Sequence, residues 1–281
     1  MKTLYELLEY GSQSLKAAGV TEYELDAWYL LQYATGVSRT KYLCDKNNAV
    51  ETEQENCYMK LIGRRAERIP LQQLTGEQEF MGLIFKVNEH VLIPRQDTEI
   101  LVEEAGKLLK QMIGARVLDM CTGSGCIIIS LMYHYGVALA VGADISEEAL
   151  KVAALNAERN HTEISLIQSD LFEGIRGKFD LIVSNPPYIR TAVIGTLEPE
   201  VREHEPFLAL DGKEDGLYFY RKIIEQAENF LVPGGWLLLE IGHDQGCEVS
   251  GLMNRFGYTD VSIIKDLAGL DRVCIGKYME E

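Results

Sequence analysis

The sequence predicts an open α/β sheet, with a small all-helical N-terminal domain ahead of it and a β-hairpin linker between the two. Three observations carry that prediction. From Ala115 onward, β-prone apolar runs alternate with helical patterns toward the C-terminus, as in a sheet whose ligands bind at the carboxyl ends of its strands. Residues 1 to about 75 carry helical periodicity and no strand pattern. Between these regions, Phe80-Met81-Gly82-Leu83-Ile84-Phe85-Lys86-Val87 sets a glycine between two β-prone runs, the signature of a hairpin. The expected domains are a helical bundle over 1–75, a hairpin linker over 76–94 and an α/β domain over 95–281.

In the bundle, Leu4, Leu7, Leu8 and Leu15 share one face of a first helix. Thr21-Glu22-Tyr23-Glu24 reads as a capping box opening a second, with Leu25, Trp28, Tyr29, Leu31 and Gln32 following. A short helix is expected over 38–43 and a long amphipathic one over 51–68. The bundle holds no obvious chemistry, so it is read as a packing or partner-recognition domain. Ile93-Pro94-Arg95-Gln96-Asp97-Thr98-Glu99 leads into a helix from about 98 to 112, with Asp97 or Thr98 as its N-cap. By itself that block is only a helix start.

Strands are then expected at 116–120, 138–144, 164–168, 179–184 and 235–241, and helices at 125–135, 146–160 and 215–231. Ser146 caps the second of these helices. The runs 259–265 and 272–278 form a closing antiparallel pair.

Composition removes several function classes. Forty-three acidic residues against 27 basic ones give a net charge of −16. Binding a phosphate backbone needs clustered Lys and Arg, so DNA or RNA is not the expected main ligand. The one basic cluster is Arg64-Arg65-Ala66-Glu67-Arg68. The longest apolar run, 126–132 with one serine inside, is too short to cross a bilayer. The N-terminus alternates charge with leucine and does not read as a signal peptide, so a cytoplasmic protein with no membrane partner is expected. The cysteines are scattered without a CxxC, as reduced thiols. The five histidines show no ligand spacing, and no metal is expected.

Four strand ends carry candidate chemistry. Val117-Leu118-Asp119-Met120-Cys121-Thr122-Gly123-Ser124-Gly125 is strand, glycine-rich turn, then helix. It lacks the Gly-Lys-Ser/Thr of a phosphate loop, and Asp119 at the strand end repels phosphate and attracts a cation. S-adenosylmethionine, with a sulfonium, an ammonium and no phosphate, fits that preference. Asp144 ends the next strand, where an acid can take both ribose hydroxyls. Asp170, with Leu171 beside it, can take an adenine amino group and pack the base. Singly each acid is as readily a helix cap, but together the strand ends are hard to dismiss.

The fourth end is Ser184-Asn185-Pro186-Pro187-Tyr188. Two prolines stop a buried strand and fix the backbone, so the carbonyls of Asn185 and Pro186 are held with no helix to consume them. The Asn185 side chain adds an acceptor oxygen and Tyr188 an aromatic face. Convergent acceptors over a flat ring suit a planar group bearing NH₂, such as a carboxamide or a base amine.

This order of Asp-x-Cys-Thr-Gly-Ser-Gly, acid, Ser-Asp-Leu and Asn-Pro-Pro-Tyr resembles the class I S-adenosylmethionine-dependent methyltransferases that alkylate planar nitrogen. More narrowly it resembles the release-factor glutamine N5-methyltransferases, nearly end to end. The likeness includes His204-Glu205-Pro206, Ala209-Leu210-Asp211-Gly212-Lys213-Glu214-Asp215-Gly216-Leu217 and the Pro233-Gly234-Gly235 turn. Departures are Gln96 where the family usually has proline, Lys213 where glycine is common and Cys121 where many members have glycine.

The resemblance implies a Rossmann-like class I methyltransferase domain with a mostly parallel seven-stranded sheet. It implies methyl transfer from S-adenosylmethionine, leaving S-adenosylhomocysteine, to the glutamine of a Gly-Gly-Gln tripeptide in peptide-chain release factors. The donor is expected against Asp119, Cys121, Thr122, Gly123, Ser124, Gly125, Asp144, Asp170, Leu171 and Asn185. The acceptor is expected against Asn185, Pro186, Pro187 and Tyr188, with Asn185, Pro186 and Tyr188 catalytic. Two rivals stand beside this reading. An adenine-N6 DNA methyltransferase uses the same Asn-Pro-Pro-Tyr logic on a flipped base, but needs a basic recognition region that this chain lacks. A non-catalytic S-adenosylmethionine-binding protein has no need of an intact Asn-Pro-Pro-Tyr.

Overall fold

The computed structural model of the chain describes residues 2–280. They fall into two compact units, one running to Gly76 and including Glu198–His204, the other formed by Glu77–Leu197 and the residues from Glu205 onward.

The first unit is helical. Up to Gly76 its helices are α1 (Leu4–Ala17), α2 (Tyr23–Thr35), α3 (Arg39–Asp45), α4 (Thr52–Ala66) and α5 (Leu71–Thr75), and α10 (Pro199–His204) also belongs to it. The capping box lies at α1 and not at α2. Thr3 Oγ1 accepts from Glu6 N, and the Glu6 carboxylate accepts from Thr3 N at 2.8 Å. The Thr21–Glu24 reading is overturned: Glu22 is the N-cap of α2 and makes no side-chain cap bond. The face of α2 differs too. Ala27, Trp28, Leu30 and Leu31 are buried, whereas Leu25 and Tyr29 are exposed. Tyr58 of α4 is fully buried among the leucines and donates its hydroxyl to Ala27 O at 3.2 Å.

The basic cluster on α4 is not a basic face. Arg65 is buried, bonding Asp26 at 2.7 Å and Glu200 at 2.8 Å, and Arg68 bonds Glu200 and Glu198. Those carboxylates neutralise it, which removes a footprint for phosphate.

The second unit opens with β1 (Glu77–Phe80) and β2 (Leu83–Lys86), paired antiparallel. Met81 and Gly82 join them with φ of 53° and 73°, the two positive values that a tight I′ hairpin turn demands. Next come α6 (Gln96–Leu109), β3 (Arg116–Met120), α7 (Cys126–Tyr135), β4 (Leu139–Asp144), α8 (Glu147–Arg159), β5 (Ser165–Gln168) and β6 (Phe179–Ser184). The chain continues through α9 (Thr191–Ile194), α10 (Pro199–His204), α11 (Phe207–Leu210), α12 (Tyr218–Ala227) and β7 (Leu231–Glu240). It closes with α13 (Gly246–Arg255), β8 (Thr259–Lys265) and β9 (Asp271–Lys277).

The seven strands order as β5-β4-β3-β6-β7-β9-β8, parallel except where β9 pairs with β7 and β8. Neighbouring residues alternate between two cores. Val117, Leu181, Val183 and Leu238 face one cluster, and Leu118, Ile182, Leu237 and Leu239 face the other. That two-residue period puts helices over both faces, which is why the strands are mostly apolar on both sides. The chain runs from β3 outward to β5, then returns to β6 beside β3. The carboxyl ends of β3 and β6 thus flank the topological switch point, where an open α/β sheet leaves a crevice.

Two further expectations change. Asp97 and Thr98 do not cap α6; its N-cap is Arg95, with no side-chain bond. Pro233-Gly234-Gly235 lies inside β7, where the register against β6 shifts, so the strand begins before the predicted turn. The short helices between 191 and 210 and the whole of α13 were not among the expected elements; the shortest of these, of four residues, span about one turn and show no period.

Ser146 caps α8, its hydroxyl accepting from Ala149 N at 3.1 Å. Gly125 begins α7 at φ 79°, and a Cβ there would meet Ile129 Cδ1 at 2.9 Å and Ala153 Cβ at 3.2 Å. Its smallness serves helix packing and not ligand approach. Gly123, at φ 55°, has open space where a Cβ would go. Gly125→Ala is therefore expected to destabilise by about 1–3 kcal/mol, strain at positive φ plus crowding. Gly123→Ala should lower the melting temperature less and weaken donor binding more. Thermal unfolding and calorimetry on both variants check the contrast, and equal stability losses would refute it.

Candidate functional site

One pocket of the second unit lies at the carboxyl ends of β3, β4, β5 and β6. Its wall includes Cys121, Thr122, Gly123 and Ser124 after β3, Asp144 after β4, and Asp170 and Leu171 after β5. Asn185 and Pro187 after β6 complete the set. Four strand ends far apart in sequence meet there, because the parallel pairings bring all of them to one edge of the sheet.

The remaining predicted site residues stand behind the wall. Asp119 is fully buried and accepts the Thr122 hydroxyl at 2.6 Å. Burial pushes its carboxyl up to about 7. It braces the turn from beneath and does not line the pocket. Gly125 belongs to the helix packing described above. Pro186 is buried, and the Tyr188 ring packs against the core cluster of Leu118 and Ile182. Among the described residues no donor takes the carbonyl of Asn185 or of Pro186. Both remain available as acceptors.

Asp144 ties the turn together. Its Oδ2 accepts from Gly123 N at 2.8 Å and its Oδ1 from Ser146 N at 2.9 Å. Burial raises its pKa, and those backbone donors oppose the rise. Each oxygen keeps a lone pair that a pair of hydroxyls can use. Cys121 adopts φ 61°, a conformation that glycine takes without strain. Burial raises its thiol pKa well above the usual range, so it is a neutral lining group.

Ser184 Oγ donates to Met120 O at 2.5 Å, closing the switch point between β3 and β6. Asn156 of α8 is fully buried. Its Nδ2 donates to Ser124 O at 2.9 Å, and its Oδ1 accepts from Lys86 N at 2.6 Å, so it fastens the glycine turn to the hairpin. A single asparagine inside a helical pattern left no sequence signal of that role.

A second group escaped the sequence reading although its motifs were visible. Glu205, buried, holds Arg95 through both carboxylate oxygens at 2.7 and 2.6 Å and accepts from Ile93 N. Arg95 lines the pocket with its charge already paired. Gly212 and Gly216 pass so close to Tyr188 that a Cβ would meet its Cα at 2.7 Å and its carbonyl oxygen at 2.5 Å respectively. Gln245 donates to Tyr188 O at 3.1 Å and to Gly216 O at 3.3 Å. The glycine-rich segment after α11 is thus a clasp on the Asn-Pro-Pro-Tyr turn. The stretch Glu240–Asp244 leads directly into that clasp.

The pocket suits a cation without phosphate. Its charged wall groups are two acids and an arginine already neutralised by Glu205, and its remaining walls include Val91, Leu92, Met120 and Ile127, which are apolar. No group of three or more His, Cys, Asp or Glu placed to hold a metal exists among the described residues.

Comparison with known proteins agrees with this architecture. Residues 6–76 match the family model described as "PrmC N-terminal domain", and residues 96–197 match "Methyltransferase small domain". A "Release factor glutamine methyltransferase" of Geobacter sulfurreducens is 43% identical over 276 residues, covering 98% of this chain and 96% of the relative. A protein of the same name from Agrobacterium fabrum is 42% identical over 265 residues, 92% of each chain. Among solved structures, a methyltransferase from Pyrococcus furiosus shares the fold with a TM-score of 0.52 at 20% identity, covering 71% of this chain and 90% of that one.

Proposed function

The chain belongs to the release factor glutamine methyltransferase family, and we propose that it methylates the side-chain amide nitrogen (N5) of the glutamine in a release-factor Gly-Gly-Gln tripeptide. One observation carries this reading. The Asn185 and Pro186 carbonyls have no donor among the described residues and lie at the end of β6 beside an acid-lined pocket.

S-adenosylmethionine, when bound, supplies a methyl group on a sulfonium sulfur. Asp144 would take its ribose hydroxyls, Asp170 its adenine amine and Leu171 its base face, while the Cys121–Gly125 turn would offer backbone to its remaining polar atoms. An amide nitrogen is a poor nucleophile, because its lone pair is delocalised into the carbonyl. Asn185 Oδ1 and the Pro186 carbonyl accept the two N–H groups and turn the lone pair toward the methyl. Pro187 limits the space around the acceptor. Tyr188, held by Gly212, Gly216 and Gln245, keeps those acceptors from moving. Catalysis is then positioning at a near-attack distance of about 3–3.5 Å together with electrostatics, and no covalent enzyme intermediate is needed. The proton leaves after the nitrogen is alkylated.

Labelled-donor transfer measured on purified release factor, free glutamine and duplex DNA tests the proposal. Label in the release factor alone is the expected result. Label in DNA would replace the reading with the base-methylating rival, and label nowhere would leave a donor-binding protein. A cytoplasmic setting follows from a release factor as substrate.

We assign recognition of the folded release factor to the helical unit. Leu25, Tyr29 and Tyr33 lie at i, i+4 and i+8 on α2 and are all exposed, forming a stripe away from its buried face. Substituting Tyr29 and Tyr33 by serine should raise KM for intact release factor and leave KM for a short Gly-Gly-Gln peptide unchanged. An equal change for both substrates would overturn the assignment.

A further inference from the structure

Glu240, the last residue of β7, is 2% exposed, and its Oε2 has no hydrogen-bond partner among the described residues. A buried carboxyl without a partner is costly, so one that persists beside a reaction site calls for a reason. Among the described residues no ion pair satisfies it: the nearby Arg272 gives its Nη2 to Asp97 at 3.0 Å and Asp266 at 3.1 Å, and its buried Nε has no hydrogen-bond partner either. The β6–β7 register, with Ser184 beside Leu239, brings Asn185 next to Glu240, and the side chains of Thr98 and Asn185 are the polar groups that favour its ionised carboxylate.

The sense of that small network follows from counting protons. Asn185 Nδ2 donates to Thr98 Oγ1 at 3.3 Å. A threonine hydroxyl has a single proton. With its oxygen accepting from Asn185, that proton is free to go to Glu240. An ionised carboxylate only accepts, so it draws the Thr98 O–H and the Asn185 NH₂ toward itself. Burial pushes the Glu240 carboxyl up to about 7. A carboxyl that has taken up a proton still keeps an acceptor oxygen, so the sense of the network does not change. The Asn185 carboxamide is thereby held with its nitrogen inward and its oxygen toward the pocket. Turned over, it would present NH₂ to the NH₂ of an acceptor amide, donor against donor.

We propose that Glu240 is a positioning residue for methyl transfer, setting the orientation of the Asn185 carboxamide directly and through Thr98 so that Oδ1 faces the nitrogen to be methylated. This rests on the acceptor role of Asn185 given above. Glu240 is absent from the pocket wall, and it acts only through Asn185.

Steady-state kinetics, donor calorimetry and thermal unfolding on Glu240→Met, Glu240→Gln, Thr98→Val and the double variant Thr98→Val/Glu240→Met test it. Glu240→Met and Thr98→Val should each lower kcat by roughly tenfold or more, as for loss of preorganisation in one polar contact, with donor Kd unchanged. Glu240→Gln mimics the protonated acid, keeps one acceptor oxygen and should restore most of the rate. The double variant should be no worse than the worse single one, because both changes release the same carboxamide. In ¹⁵N-labelled protein, the side-chain NH₂ pair identified by its loss in Asn185→Ala should move in Glu240→Met and stay in Glu240→Gln. Wild-type kcat in folded Glu240→Met, or Glu240→Gln as slow as Glu240→Met, would overturn the proposal. If Asn185→Ala is slow while Glu240→Met is not, Glu240 alone loses its role. If Asn185→Ala is itself fast, the reading of the site fails first.

Discussion

Asn185→Ala is expected to lower single-turnover methyl transfer by roughly 10²–10³-fold, the loss typical of one preorganised polar contact in a site closed to water. The variant removes the oxygen that holds one N–H of the target amide, and the amide then rotates so that its lone pair leaves the methyl. Asn185→Asp should be comparably slow for a different reason. It keeps an acceptor of the same size but adds a negative charge beside a sulfonium. That charge favours the ground state, whose positive charge is dispersed as the methyl moves. It also places an acceptor where the Asn185 NH₂ now donates to Thr98. Tyr188→Phe should be milder, since the ring still packs and the clasp through the Tyr188 carbonyl is retained. The rates should rank wild type, then Tyr188→Phe, with both Asn185 variants well below. Near wild-type transfer by Asn185→Ala would mean that the amide is held elsewhere.

Asp144→Ala carries the second large effect, on donor binding. Charge-assisted hydrogen bonds contribute about 1.5–3 kcal/mol each, and about 1.4 kcal/mol is tenfold in affinity. Loss of one such bond to a ribose hydroxyl should therefore weaken binding by roughly tenfold to a hundredfold. The same variant frees Gly123 N and Ser146 N, which Asp144 holds at 2.8 and 2.9 Å. A lower melting temperature is expected with it. Titration calorimetry on folded protein separates the two consequences. Unchanged donor affinity would remove Asp144 from the donor site.

Much of the fold was readable because long elements announce themselves. β3, β6 and β8 fall on the predicted residues, and the strand ends at Asp144 and Asn185-Pro186 are marked by an acid and by proline. Helix starts were read less well. Thr21 and Thr98 both have the chemistry of a cap, yet one lies outside its helix and the other turns inward to Asn185. Cap chemistry is a local signal, and a tertiary partner can outbid it.

The sequence alone determined which residues stand at the strand ends, because strand length and the following acid, glycine or proline are local features. Asp144, Asp170 and Asn185 were placed by that logic, and the pocket contains all three. Only the tertiary structure decided what supports them. Glu240 lies 55 positions from Asn185 and 142 from Thr98 by residue number, Glu205 lies 110 from Arg95, and Gln245 lies 57 from Tyr188. No periodicity links residues so far apart. They meet because a parallel sheet gathers the ends of distant strands on one edge, and because a buried polar group must find its partner wherever the fold brings one.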